Sequence, residues 1–191
     1  MEFEEFPKMA RLSRECVITE KLDGTNAQIY IEALEGHPST DPACIFQKDG
    51  LAMFAGSRTR WIVPGDDNYG FAFWAHAHAE ELLALGPGRH FGEWWGQGIQ
   101  RKYPIGGKRF SLFNVSRWGE DRPECCDVVP TLYRGLFSTE AVENCIKNLR
   151  ELGSVACPGF MNPEGVVVFH LAAGIGFKKT LDKDEVPKSR Q

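Results

Sequence analysis

Lys21 stands in Glu20-Lys21-Leu22-Asp23-Gly24-Thr25-Asn26, two residues ahead of an Asp-Gly pair. A lysine amine is a nucleophile only when neutral, and burial or neighbouring cations favour that state. Lys178 and Lys179 are candidates for those cations. Gly24 lets the backbone approach a ligand with no Cβ in the way. Two carboxylates occupy distinctive settings: Glu93 in Phe91-Gly92-Glu93-Trp94-Trp95-Gly96, and Glu164 ahead of Gly165-Val166-Val167-Val168. Attack by an amine on a charged electrophile such as a phosphate needs charge relief, which carboxylate-held metal ions and cationic side chains provide.

Such groups need elements to hold them. Val17-Ile18-Thr19-Glu20 reads as a strand entering the Lys21 turn, and Ala27 to Ile31 alternate as a strand leaving it. Residues 35–49, bounded by Gly36, Pro38, Pro42 and Gly50, form a loop or hairpin region. Residues 67–85 read as a helix, with Phe71, Trp74, Ala75, His78, Leu82 and Leu85 recurring at three- and four-residue spacing. His76 and His78, two apart on that helix, point to different faces and read as ordinary helix residues, not metal ligands. A second helix is expected over 139–152, capped by Ser138 or Thr139 and stopped by Gly153. Phe110 to Val115 reads as a strand, and Val166 to Phe169 as another, buried on both faces. Helices and strands that do not alternate favour an α+β domain with antiparallel sheets flanked by helices.

With 191 residues, 42% hydrophobic content, 13 Phe and 5 Trp, the chain is expected to fold as a single domain over 1–191, with a frayed tail from about 182. It has no apolar run of the ~20 residues a membrane span needs and no secretory start, so a cytoplasmic protein is expected. Six cysteines without a Cys-x-x-Cys pair read as reduced structural residues. A net charge of −4 argues against tight non-specific nucleic-acid binding. The basic residues cluster nonetheless, at Arg58/Arg60, Arg101/Lys102, Lys108/Arg109 and Lys178/Lys179.

The Lys-x-Asp-Gly turn, the Phe-Gly-Glu segment, Glu164-Gly165-Val166 and Phe177-Lys178-Lys179-Thr180 follow in fixed order over residues 20–180. Together they resemble the ordered motifs of the covalent nucleotidyltransferases, the superfamily of polynucleotide ligases and mRNA capping enzymes. The resemblance implies a nucleotidyltransferase (ligase adenylation) domain in which Lys21 attacks the α-phosphate of ATP. It implies Mg²⁺ (or Mn²⁺) held by Glu164, with Asp23 sharing the task, and ribose hydroxyls bound by Glu93. Phe113 matches the aromatic that stacks on adenine. Arg58 matches an arginine near the phosphates or the acceptor strand, with Arg60 as its competitor. Of Lys178 and Lys179, which face opposite ways in a strand, Lys178 is favoured for the α-phosphate. Glu20 and Asn26 belong to the nucleotide-binding set, and Arg58, Arg60 and Arg101 to the RNA-binding one.

Asn26 narrows the branch. DNA ligases and capping enzymes typically place arginine five residues after the nucleophile, whereas RNA ligases of the RNA-ligase-2-like group place asparagine. The chain is therefore similar to short RNA-ligase-domain proteins of phages and bacteria. That implies an ATP-dependent RNA ligase joining 5′-phosphate and 3′-hydroxyl ends through lysyl-AMP. About 20 residues precede Lys21 and about 11 follow Thr180, so no OB fold or extra carboxy-terminal domain is expected, and a partner protein would supply further nucleic-acid-binding surface. The alternatives are a minimal DNA ligase, an adenylyltransferase for another end group, and a non-catalytic nucleic-acid-binding module. Asn26 weighs against the first, and the presence of Lys21, Glu93, Glu164 and Lys178 against the last.

Overall fold

In the computed structural model, which describes residues 1–182 and 184, the elements run as follows. Strands β1 (Glu15–Lys21), β2 (Thr25–Ala33), β3 (Cys44–Lys48), β4 (Leu51–Gly56) and β5 (Trp61–Ile62) precede helices α1 (Phe71–Ala77) and α2 (Ala79–Leu82). Then come β6 (Gly88–Gly96), β7 (Lys108–Leu112), β8 (Cys126–Val128), β9 (Thr131–Leu136), helix α3 (Thr139–Leu152), β10 (Gly165–His170) and β11 (Ile175–Thr180). The chain divides into two compact units, residues 1–21 with 130–191, and residues 22–129. Among the described residues no helix is long and apolar enough to cross a membrane. The expected frayed tail falls largely on residues outside those described.

The first unit is a four-stranded antiparallel sheet in the order β11-β10-β1-β9, with α3 packed on one face. In α3, Val142, Cys145, Ile146 and Leu149 fall at i, i+3, i+4 and i+7 and bury one stripe. They meet Cys16 and Ile18 of β1 and Val166 and Val168 of β10, each fully buried aliphatic side chain contributing ~1.5–3 kcal/mol. The Ser138 hydroxyl accepts from the Ala141 N–H at 3.1 Å and caps the helix. Gly153 ends it at φ +83°. The expected helix thus forms over the expected residues. Strand β10 departs from expectation: Val166 and Val168 are buried, but Val167 is half-buried and Phe169 is exposed. Its second face carries Val17, Thr19 and Lys21 of β1 and Lys178 of β11 in register.

The second unit holds the larger sheet, in the order β3-β4-β2-β6-β7-β8, with β5 paired to β4; all pairs are antiparallel except β7–β8. Asp49 and Gly50, both at positive φ, close the β3–β4 hairpin within the expected loop region. Ala27, Ile29 and Ile31 of β2 point into a core with Phe71, Ala75, Leu82 and Leu85. Asn26, Gln28 and Tyr30 therefore line the opposite face.

The helix expected over 67–85 is broken. The Asp67 carboxylate accepts from the N–H groups of Ala72 (2.8 Å) and Phe73 (2.9 Å), so residues 67–70 form a capping loop, and Gly70 sits left-handed at φ +82°. The backbone leaves the helical region at His78 (φ −105°, ψ 20°). The apolar period survives across the break because Phe71, Ala75, Leu82 and Leu85 still reach one core. The sequence pattern also carries β7 too far, since pairing stops at Leu112.

Ser138→Ala removes a side-chain acceptor from the first turn of α3 and lowers the unfolding free energy by about 1 kcal/mol. Urea unfolding with an unchanged m-value checks this.

Candidate active site

In the first unit, β1 ends at Lys21, whose Cα partner on β10 is Gly165. That register sets the residue just before β10, Glu164, beside Lys21. The ammonium donates to Glu164 Oε2 at 2.5 Å, with side-chain exposures of 19% and 2%. Gly165 is required for this approach: it lies at φ +153°, and a Cβ there would collide with the Lys179 carbonyl and the Thr180 Cα. The Glu164 carbonyl accepts from the Leu181 N–H at 2.9 Å, closing the turn on the far side.

Directly opposed residues in a sheet share a face. Val167 pairs with both Thr19 and Lys178, placing Lys178 on the face of Thr19 and Lys21. Val166 pairs with Glu20 and Lys179, placing Lys179 on the α3 face. There its ammonium meets Glu143 of α3 (3.4 Å) and Asp184 (3.8 Å). Glu20 also points to that side and is 1% exposed. Its carboxylate accepts from Ser154 Oγ (2.5 Å) and from the N–H groups of Val155 (2.8 Å) and Ala156 (2.9 Å). Burial pushes the Glu20 carboxyl up, against the opposing pull of these hydrogen bonds. The Glu20 side chain is thus an anchor for the loop after α3, a role the sequence alone did not suggest.

In the second unit, Asn26 and Glu93 are Cα partners across β2 and β6. Glu93 is 7% exposed; its Oε1 accepts from the Gly24 N–H at 2.9 Å and its Oε2 from Asn26 Nδ2 at 3.1 Å. Gly24 has no room for a Cβ, which would meet the Trp94 carbonyl and, at 2.7 Å, Trp95 Cβ. The turn after Lys21 is therefore pressed against β6. The Asp23 carboxylate is ion-paired with Arg101 (3.1 Å), and the Asp23 N–H donates to the Tyr103 hydroxyl at 3.2 Å. Asp23, expected at the metal, and Arg101, expected at RNA, have each other as partners. Tyr103 was missed, since its position in a Lys-Tyr-Pro loop carries no local signal; it is fully buried against Trp95.

Phe113 lies just beyond β7 and is 40% exposed, so it is not a core residue. Its N–H donates to the Phe91 carbonyl at 2.9 Å. Arg60 forms a two-pronged pair with Asp66 at 2.7 and 2.9 Å. Among the described residues Arg58 makes no side-chain hydrogen bond or ion pair. Two basic groups noted in the sequence hold structure instead: Lys108 donates to the Tyr69 carbonyl at 2.7 Å, and Arg109 pairs with Asp127 at 3.5 Å.

Comparison with known proteins adds to this geometry. The family model described as RNA ligase matches residues 14–173. A mutant RNA ligase of Naegleria gruberi, solved with AMP and Mn, is similar at a TM-score of 0.59 and 18% identity, covering 87% of this chain and 49% of that one. Another mutant of it, solved with ATP and Mn, gives 0.58 and 18%, covering 91% and 52%. The same ligase with PPi gives 0.55 and 19%, covering 88% and 50%. The chain thus spans about half the length of these structures, and at such identities the likeness is one of fold. No curated protein matches the chain.

Gly165→Ala is expected to cost about 2–3 kcal/mol, because strained backbone and a collision coincide. Gly159→Ala, at positive φ but in open space, costs about 1 kcal/mol. Urea midpoints of the two variants measure the difference.

Proposed function

We propose that this chain, which belongs to the RNA ligase family, is the nucleotidyltransferase part of an ATP-dependent RNA ligase. The observation that carries the reading is the Lys21–Glu164 pair on a sheet face shared with Lys178. Lys21 Nζ attacks the α-phosphorus of ATP; the bond from that phosphorus to the bridging oxygen breaks and pyrophosphate leaves, giving lysyl-AMP. The ammonium must shed a proton first, and Glu164 Oε2, already its hydrogen-bond partner, is within reach of it. AMP then passes to an RNA 5′-phosphate, freeing Lys21. A 3′-hydroxyl attacks the activated phosphate, AMP leaves, and the phosphodiester forms.

Lys178 is assigned to the developing charge on the α-phosphate. Lys179, tied to Glu143 and Asp184, is assigned to structure. Nucleoside recognition is assigned to the second unit: Phe113 supplies an exposed ring for adenine, and Glu93 and Asn26 meet the ribose. Arg58, on the same unit, is assigned to the phosphates or the RNA strand, and Arg60 to the loop it pins through Asp66.

The donor chemistry fits a hard divalent cation, since Glu164 offers a carboxylate next to the nucleophile. Mg²⁺ or Mn²⁺, when bound, would supply charge relief on the phosphates, with Glu164 as its holder. ATP and Mn are bound in a Naegleria gruberi RNA ligase structure of similar fold.

Incubation with α-phosphate-labelled ATP and Mg²⁺ or Mn²⁺ tests the first step. The protein retains label through gel denaturation, GTP labels it far less, and Lys21→Ala, checked for folding, retains none. Lys178→Ala slows labelling ~10²–10³-fold, while Lys179→Ala stays within a few-fold of the parent. The opposite order for the two lysines contradicts the face assignment. Sealing of nicked RNA, hybrid and DNA duplexes then tests the later steps, with RNA-containing nicks preferred.

A further inference from the structure

A second group of chemically reactive side chains lies in the second unit and takes no part in the proposed reaction. His78 sits at the junction of α1 and α2, and Glu81 follows one turn later. His78 Nδ1 is 3.1 Å from Glu81 Oε1. Cys125, from the loop leading into β8, comes to the same place. One ligand atom from each of the three residues lies within 4.8 Å of the other two.

Each donor is held. The His78 ring packs on Trp74, with centroids 5.1 Å apart and planes at 40°. The Cys125 loop is tied by Cys126 N–H to the Pro123 carbonyl (2.9 Å) and by Arg122 Nε to the Cys126 carbonyl (2.8 Å). Cys126 itself is 1% exposed in the core, its sulfur 4.0 Å behind that of Cys125.

We infer that His78, Glu81 and Cys125 form a zinc-class cation site. The set offers one nitrogen, one oxygen and one sulfur, leaving the fourth tetrahedral position to water. A thiolate and an imidazole select a borderline-soft ion over magnesium, calcium or manganese. Tetrahedral bonds of ~2.0–2.3 Å place ligand atoms ~3.3–3.7 Å apart, so a group already within 4.8 Å closes through side-chain rotation. Binding releases the Cys125 thiol proton to solvent and ties the α1–α2 junction to the strand β8 loop. The absence of a Cys-x-x-Cys pattern hid this set, because its members meet only through the fold.

The full chain, stripped with chelator and refilled, tests the site. Refilling with Zn²⁺ gives about one ion per chain by plasma mass spectrometry, and a raised unfolding temperature. Refilling with Co²⁺ gives a thiolate-to-cobalt charge-transfer band. Cys125→Ser abolishes that band, and His78→Ala or Glu81→Gln weakens cobalt binding about tenfold or more. Cys126→Ser and Cys44→Ser leave the band in place. Should Cys125→Ser fail to fold, the partly exposed His78→Ala decides by the same titration. Failure to take up Zn²⁺ and Co²⁺, a band that survives Cys125→Ser, or one lost in Cys126→Ser alone overturns the assignment. Because the band reports sulfur ligation, this result stands apart from self-labelling at Lys21.

Discussion

The ammonium of Lys21 and the carboxylate of Glu164 meet at 2.5 Å although 143 residues separate them in the chain. Taking such charges out of water is costly unless each finds its partner, and removing one member of a buried pair typically costs ~3–5 kcal/mol. Several features of the first unit follow from this requirement. The β1–β10 register puts Lys21 opposite Gly165, so that the preceding carboxylate arrives at the amine. Gly165 has neither the φ nor the space for another residue. Lys21, Val167 and Lys178 share the sheet face opposite the one that α3 covers.

Cations in this protein sort by what already holds them. Arg60 is engaged by Asp66, Arg101 by Asp23, and Lys179 by Glu143 and Asp184. Among the described residues neither Arg58 nor Lys178 is ion-paired. Within Arg58/Arg60 and Lys178/Lys179, one residue thus fixes the fold and the other is open to an anionic ligand. Exposed ion pairs add little stability, ~0–1 kcal/mol. Their larger effect here is to orient Arg60 and Lys179 away from the role their neighbours can take.

Local signals were legible where the physics is local. Ser138 and Gly153 bound α3 because a cap and a left-handed stop act within one turn. The helix over 67–85 was misread because the Asp67 carboxylate captures two N–H groups and starts the helix later, a competition that periodicity does not reveal. The motif residues were legible as types, but which of Lys178 and Lys179 shares the face of Lys21 depends on pairing with Val167. The Glu20 anchor and the meeting of His78 with Cys125 were hidden for the same reason, since each joins residues far apart in the chain.

The most direct test of the central claim leaves the protein unmutated and its ion pairs intact. The chain is incubated with ATP and Mg²⁺ or Mn²⁺, digested under conditions that preserve a phosphoramidate, and its peptides are sequenced by mass spectrometry. A single AMP adduct on the ε-nitrogen of Lys21 is the result expected. An adduct on Lys178, Lys179 or another side chain, or no adduct from protein shown to be folded, would contradict the account.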